Sequence, residues 1–325
     1  MSLSNTEYGK AYEYACLLSL QEYLSGETAG TVHIEISDAY QTARAAFAKA
    51  QQEDVSDNLM MAANAAVRVS TRLEPQLQFG NGALSLCIQT DAQGIAGDVR
   101  DVVCVRAANG WQIGISCKHN HHAVKHSRLS ATIDFGQEWL GIPCSKEYFD
   151  TVVPIFHELR DMRTRAVNEH RPLPLWSDIP DKSNRYYMPI LNAFLQELRR
   201  LAESDPTVPG KLIGYMLGKY DFYKVITDDK KRTTRIEAIN LAGSLNKPAN
   251  GHHSIVDVAK LKLPTRFYHM GMVPNSDNKV EIVCDEGWTL SMRIHNASSK
   301  VEPSLKFDVQ LISLPANVHA QVEPW

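Results

Sequence analysis

At 325 residues and 44% hydrophobic composition, the chain is long enough to bury a full core, as one large domain or two smaller ones, and its composition excludes a disordered polymer. Its formal charge of −3 excludes a protein that coats nucleic acid through bulk basicity, so any affinity for a polyanion has to come from local patches. No apolar run reaches membrane-spanning length and the N-terminal MSLSNTEYGK lacks a basic-then-apolar leader pattern, so the expected location is the cytoplasm, with no membrane contact.

Residues 6–24, TEYGKAYEYACLLSLQEYL, read as a helix with Thr6 as its cap. Glu13, Leu17, Leu20 and Leu24 recur at helical spacing, which puts a glutamate on the buried stripe. There it either snorkels to solvent or aims its carboxylate into a site. Residues 37–70 are rich in helix formers, with Ser37 or Asp38 as a cap, and Ala83 to Ile88 reads as an edge strand after the turn FGNG. The six cysteines, Cys16, Cys87, Cys104, Cys117, Cys144 and Cys284, are scattered without metal-type pairing, as reduced core thiols are.

Residues 97–130 carry the chemistry. Asp101 opens the apolar run Val102-Val103-Cys104-Val105, and Ile113 to Lys118 forms a second run, with Asn109-Gly110 between them as a hairpin turn. A two-residue loop there makes Ala108 face Trp111, Val103 face Ser116 and Asp101 face Lys118, with facing Cβ atoms about 4.5 to 5.5 Å apart. Such a pair is either a plain cross-strand ion pair or the start of a site. Asp98 lies just before the hairpin, as a turn residue or a further metal ligand. Arg106, Lys118, His119, Asn120, His121, His122, Lys125, His126 and Arg128 follow in a stretch without Asp or Glu. That composition attracts a polyanion, and its alternative is a solvated loop. A zinc site fits less well, because no Cys-x-x-Cys accompanies the histidines.

Ser145 caps a helix running to Asn168, and the proline-rich HRPLPLWSDIPDKSN that follows reads as a linker. The expected division is therefore a catalytic core over residues 1–170 and a helical, then β-rich, recognition part over 171–325. A helix covers about Tyr187 to Glu203, and a short helical piece, LIGYMLG, precedes strands at YDFYKVI and TRIEAINLAG. In WTLSMRIHNA, Leu290, Met292 and Ile294 face one way and Ser291, Arg293 and His295 the other, and SLKFDVQLI repeats the pattern. The polar face is either solvated or reads DNA: Arg293 has the fork that matches guanine, and Ser291, His295 and Asn296 suit phosphate or base contacts.

Asp101, the hairpin and Ser116-Cys117-Lys118 together resemble the D…(D/E)xK signature of the restriction-endonuclease-like nucleases. Ser116 departs from it, standing where that signature has an acid; some members have Ser-x-Lys and take a glutamate from elsewhere in the fold. The longer strings SCKHNHHAVKHSRLS, IDFGQEWLGIPCS, GKYDFYKVI and SMRIHNASSKVEPSLKFD resemble the type II restriction endonucleases related to HaeIII. The resemblance implies an α/β fold with a mixed β-sheet flanked by helices and a C-terminal β-rich part that completes a DNA cleft. It also implies Mg²⁺ held by Asp101 with Glu13 or Asp98, Lys118 assisting the attacking water, and double-stranded DNA cut at GGCC. A symmetric site calls for a homodimer or two successive nicks. Because Ser116 removes one acid, a catalytically inactive DNA-binding protein on the same scaffold is the alternative, followed by a protein whose Asp101 and Lys118 merely pair.

Overall fold

The computed structural model describes residues 3–27, 30–90, 97–120 and 123–325. Chain contacts divide it into two units, the first of residues 1–122, 218–262 and 316–325 and the second of residues 123–217 and 263–315. This differs from the expected cut after residue 170, and strand pairing gives the reason. The first unit holds a seven-stranded mixed sheet in the order β1-β2-β3-β4-β6-β7-β12, made of β1 (Val32–Ile34), β2 (Leu84–Ile88), β3 (Val102–Arg106), β4 (Trp111–His119), β6 (Phe222–Asp228), β7 (Thr233–Ile239) and β12 (Ala320–Pro324). Strands β4 and β6 are parallel; parallel neighbours need a crossover connection, and the long segment from residue 123 to 217 is that connection. Three strands expected in the C-terminal part, β6, β7 and β12, therefore complete the first unit's sheet.

Helices α1 (Asn5–Glu27), α2 (Asp38–Gln52), α3 (Ser56–Leu73) and α4 (Pro75–Phe79) also belong to the first unit. The cap of α1 is Ser4 rather than Thr6. Ser4 Oγ accepts the Glu7 N–H at 3.3 Å and Glu7 Oε2 accepts the Ser4 N–H at 2.9 Å, a reciprocal capping box. The stripe expected on this helix is buried as read, Glu13 included, with Leu17, Leu20 and Leu24 fully inaccessible. They join a core with Val102 and Cys104 of β3, Ile113, Ile115 and Cys117 of β4, and Tyr223 and Val225 of β6. Fully burying one such leucine contributes roughly 1.5–3 kcal/mol. All six cysteines are free thiols.

The second unit is built on a five-stranded antiparallel sheet, β5-β11-β10-β9-β8, formed by β5 (Ala123–Ser130), β8 (Phe267–Met272), β9 (Lys279–Cys284), β10 (Thr289–His295) and β11 (Ser304–Ser313). Leu290, Met292 and Ile294 of β10 and Leu305, Phe307 and Val309 of β11 are buried, and the alternate residues form the polar face, as the alternation requires. Helices α5 (Lys146–Asn168), α6 (Met188–Ser204) and α7 (Val208–Leu217) complete the unit. Ser145 caps α5 as expected, its side chain accepting the Tyr148 N–H at 3.2 Å. Two readings change. Much of the histidine-rich stretch is strand β5 rather than a loop, because β11 pairs along it from Ser304–Ser130 to Gln310–Ala123. The proline-rich segment is no linker: Trp176 N–H donates to Ser299 O at 2.8 Å and Val301 N–H to Pro174 O at 2.9 Å, which ties it into the second unit.

Arg106, read from sequence as part of a polyanion-attracting stretch, is fully buried. Its guanidinium donates to Gln76 O at 2.6 Å, Gly82 O at 2.6 Å and Leu77 O at 2.7 Å, clamping the end of α4 and the turn before β2 onto β3. It is a structural cation. Arg106→Leu removes the donors and leaves those carbonyls unpaired, so urea unfolding is expected to show a loss of about 3 kcal/mol or more; a loss under about 1 kcal/mol contradicts the clamp.

Candidate active site and nucleic-acid interface

The hairpin of β3 and β4 brings Asp101 and Lys118 together, in a register shifted from the expected one. Arg106 pairs with Trp111, Cys104 with Ile113 and Val102 with Ile115, so the connecting turn is the four residues 107–110. Asn109 N–H donates to Arg106 O at 3.4 Å, and Asn109 Oδ1 accepts the Trp111 N–H at 3.1 Å. The turn holds Gly110 at φ 68°, a left-handed value that glycine adopts without strain. Because the register moves by an even number of residues, every side chain stays on its expected face. Extending the ladder places Asp101 opposite Ser116, with Lys118 on the diagonal.

Asp101 is fixed at the mouth of β3 from three sides. Its N–H donates to Ile115 O and its carbonyl accepts the Gln89 N–H, both at 2.9 Å. Strand β4 runs on past the end of β3, so the Cys117 N–H has no strand partner there, and it donates to Asp101 Oδ2 at 2.6 Å. The same oxygen accepts from Lys118 Nζ at 3.1 Å and from Ser116 Oγ at 3.3 Å. Oδ1 has no such donor among the described residues.

Glu13 enters from α1. Lys10 Nζ lies 3.2 Å from Glu13 Oε2. Burial first, then the negative charge of Asp101, push the Glu13 carboxyl up to about 8, against the opposing pull of Lys10 and Lys118. Two carboxylates close enough to repel, one of them at the end of a central strand, are a donor set suited to a hard divalent cation. Among the described residues no cluster of three or more His, Cys, Asp and Glu side chains has metal-holding geometry. Asp98 is not part of this arrangement. Both its oxygens are taken, Oδ1 by Arg100 Nε at 2.8 Å and Oδ2 by Arg100 Nη2 at 2.7 Å and Gln89 Nε2 at 2.9 Å, so its carboxylate is spent on a buried ion pair.

Lys224 was not singled out from sequence, although a lone lysine inside the apolar strand FYKVI was the available signal. It pairs across β4–β6 with Ser116 and across β6–β7 with Glu237, giving a row Asp101, Ser116, Lys224, Glu237 over four strands. Burial pushes Lys224 down to about 8, with the charges of Lys118 and Arg235 in the same direction and Glu237 opposing. Glu237 in turn accepts from Arg235 Nε at 2.7 Å.

The residues read as DNA contacts fall into two groups. His119 Nε2 lies 2.7 Å from Asp229 Oδ2 and its ring stacks on Tyr8 at 4.8 Å, and Asn120 donates to the same Asp229 at 3.1 Å. Both are engaged in holding the turn after β6. Lys125 donates to Tyr215 O at 3.0 Å and lies over the Tyr215 ring at 3.4 Å, so it is turned toward α7. Asn296 is buried and spends its amide on Ser298 O, Lys300 O and the Glu302 N–H, which shapes the turn before β11. These four side chains each hold a partner within the protein. His121 lies outside the described residues, as does His122. The second group is His126, Arg128, Ser291, Arg293 and His295, all on the polar face of the second unit's sheet. Arg128 pairs with Glu302 at 2.7 Å. Asp308, missed from sequence, gathers His126, His295 and Arg293, whose hydrogen bonds hold its carboxyl well below the usual carboxylate range.

The raised Glu13 carboxyl gives a test of the geometry. Its folded-state value lies above the ordinary 4.5, so the folded protein keeps the proton longer than the unfolded chain does. The stabilisation is complete at low pH and is lost as pH rises toward 8. Glu13→Gln, neutral throughout, should gain on the wild type between about pH 5 and pH 9 by on the order of a few kcal/mol in urea unfolding with divalent cations chelated. A difference that does not change with pH contradicts the buried pair.

The family model described as HaeIII restriction endonuclease matches residues 9–315. The type II restriction enzyme HaeIII of Haemophilus aegyptius is 37% identical over 326 aligned residues, covering 100% of this chain and 99% of the relative. No solved structure matches the chain significantly. With a family match over nearly its whole length and a full-length relative, a mixed α/β sheet carrying Asp101 beside Lys118 at one strand end, and a polar face on a second sheet, the chain belongs to the HaeIII restriction endonuclease family.

Proposed function

We propose that this protein makes double-strand cuts in DNA at GGCC by Mg²⁺-dependent phosphodiester hydrolysis, acting in the cytoplasm. The observation that carries the reading is Asp101, locked by the Cys117 N–H and paired with Lys118, with Glu13 close enough for the two acids to repel. Asp101 and Glu13 are the residues that would hold the ion. A magnesium ion held by them would supply Lewis-acid polarisation of the scissile phosphate and a more acidic water.

The chain's own groups do the rest. Asp101 is aimed by a main-chain donor, so its orientation does not depend on a mobile side chain. The Lys118 ammonium, held at 3.1 Å from that carboxylate, stands where it stabilises charge gathering on the phosphate and orients the nucleophile. Ser116 supplies a hydroxyl to Asp101 instead of a second carboxylate, and Glu13 takes over the missing acid. The choice of GGCC follows the likeness to the HaeIII group, and the exposed Arg293 is the residue suited to guanine. A homodimer or two successive nicks completes the double-strand cut. Ser116 at the acid position also favours one other reading, a DNA-binding protein without cleavage.

Digestion of a plasmid with Mg²⁺, with sequencing of the fragment ends, reads activity, site and cut position together; an intact plasmid in the presence of duplex binding favours the inactive reading. Lys118→Ala and Asp101→Asn should each slow cleavage by about a hundredfold or more while duplex binding without Mg²⁺ persists. Wild-type rates in either variant refute its assigned role. Early accumulation of nicked circles identifies successive nicking, and its absence identifies paired cutting.

A further inference from the structure

On the polar face of the second unit's sheet, the strand register places Lys279, Arg293, Asp308 and His126 in one row across β9, β10, β11 and β5. The next row along β10 and β11 runs His295, Lys306, Arg128. Lys279 directly opposite Arg293, and Lys306 directly opposite Arg128, are like-charge cross-strand pairs that cost stability. Carboxylates sit among these cations: Glu302 pairs with Arg128 at 2.7 Å, Glu281 lies opposite Ser291 on the same face, and Asp308 gathers three partners. Asp308 Oδ1 lies 3.0 Å from His126 Nδ1, and Oδ2 lies 2.6 Å from Arg293 Nη2 and 3.1 Å from His295 Nε2.

An acid in the middle of a surface that meets DNA repels phosphate, so it needs a reason to be there. Carboxylates read cytosine directly by accepting from its amino group, but both oxygens of Asp308 are already engaged by cationic or cation-forming side chains. Its geometry is that of a brace. An arginine on an exposed strand otherwise samples many rotamers, and anchoring one end of its planar guanidinium leaves the remaining N–H groups in a defined plane. Arg293 keeps its side chain 48% exposed while so anchored.

We propose that Asp308 is a specificity-determining positioning residue, which acts through Arg293 by holding its guanidinium in the orientation that reads a base edge in the DNA target. This rests on the reading of the protein as a site-specific DNA endonuclease. His126 and His295 complete the brace by lying beside the two Asp308 oxygens, at 3.0 and 3.1 Å.

The test measures kcat/KM with Mg²⁺ on duplexes carrying GGCC and on duplexes with one base pair of that site changed, for wild type, Asp308→Asn, Arg293→Ala and the double variant. Wild type that cuts none of these duplexes removes the underlying reading; the positioning claim is judged by the variants once wild type discriminates. Asp308→Asn is expected to lower the cognate-to-altered ratio by about tenfold or more, while the salt dependence of duplex binding stays close to wild type. In the Arg293→Ala background the same change should lower the ratio no further. An unchanged ratio in Asp308→Asn overturns the proposal, and so does an additive loss in the double variant, which assigns Asp308 a base contact of its own. Should Asp308→Asn fail to fold, Asp308→Glu keeps the charge and displaces it. Its ratio should fall only when Arg293 is present, and an unchanged ratio there also overturns the proposal.

Discussion

The candidate active site depends on one main-chain hydrogen bond, from the Cys117 N–H to Asp101 Oδ2 at 2.6 Å. It exists because β4 outruns β3, leaving a donor without a strand partner at the point where the chain turns into the hairpin. A carboxylate that accepts a backbone N–H is held more tightly than one held only by a flexible lysine, since charge-assisted bonds to a fixed donor are short and strong. Lys118 then has one place to put its ammonium. The same bond sets where Glu13 feels negative charge, so the acid on α1 and the acid on the hairpin are coupled through a detail of strand length.

Both units concentrate like charges locally while the whole chain carries only −3. In the first unit Glu13 lies near Asp101, and Lys224 near Lys118. In the second, lysines face Arg293 and Arg128 across strands. Unliganded, such arrangements cost stability; an opposite charge brought by a ligand offsets the cost. Bulk charge is uninformative for this protein for the same reason, because the acids and bases that matter are sorted by strand face rather than by number.

Several features were legible in the chain itself. Period-two alternation identified the buried and polar faces of β10 and β11, helical spacing put Glu13 on the buried stripe, and the apolar runs around Asn109-Gly110 identified the hairpin. The parity of Asp101, Ser116 and Lys118 survived even though the turn is longer than read, because an even shift of register keeps every side chain on its face. Other features were hidden. Asp98, Asn120 and Asn296 have side chains suited to ligands, and only their neighbours show that Arg100, Asp229 and the backbone near residue 300 already occupy them. Asp308 looked like one more polar residue on an alternating strand until register set it between His126 and Arg293.

Local pattern by itself determined several of the helices and strands, the faces they present and the hairpin that pairs an acid with a lysine, because these depend on side-chain periodicity and turn chemistry within a few residues. Tertiary structure alone decided which partners the charged groups hold, and that the seven-stranded sheet is finished by strands from the far end of the chain. Many of those outcomes rest on contacts between residues more than a hundred positions apart, such as Ser116 beside Lys224 and Asn120 beside Asp229, where pairing is chosen by the packing of whole sheets and leaves no trace in the neighbouring sequence.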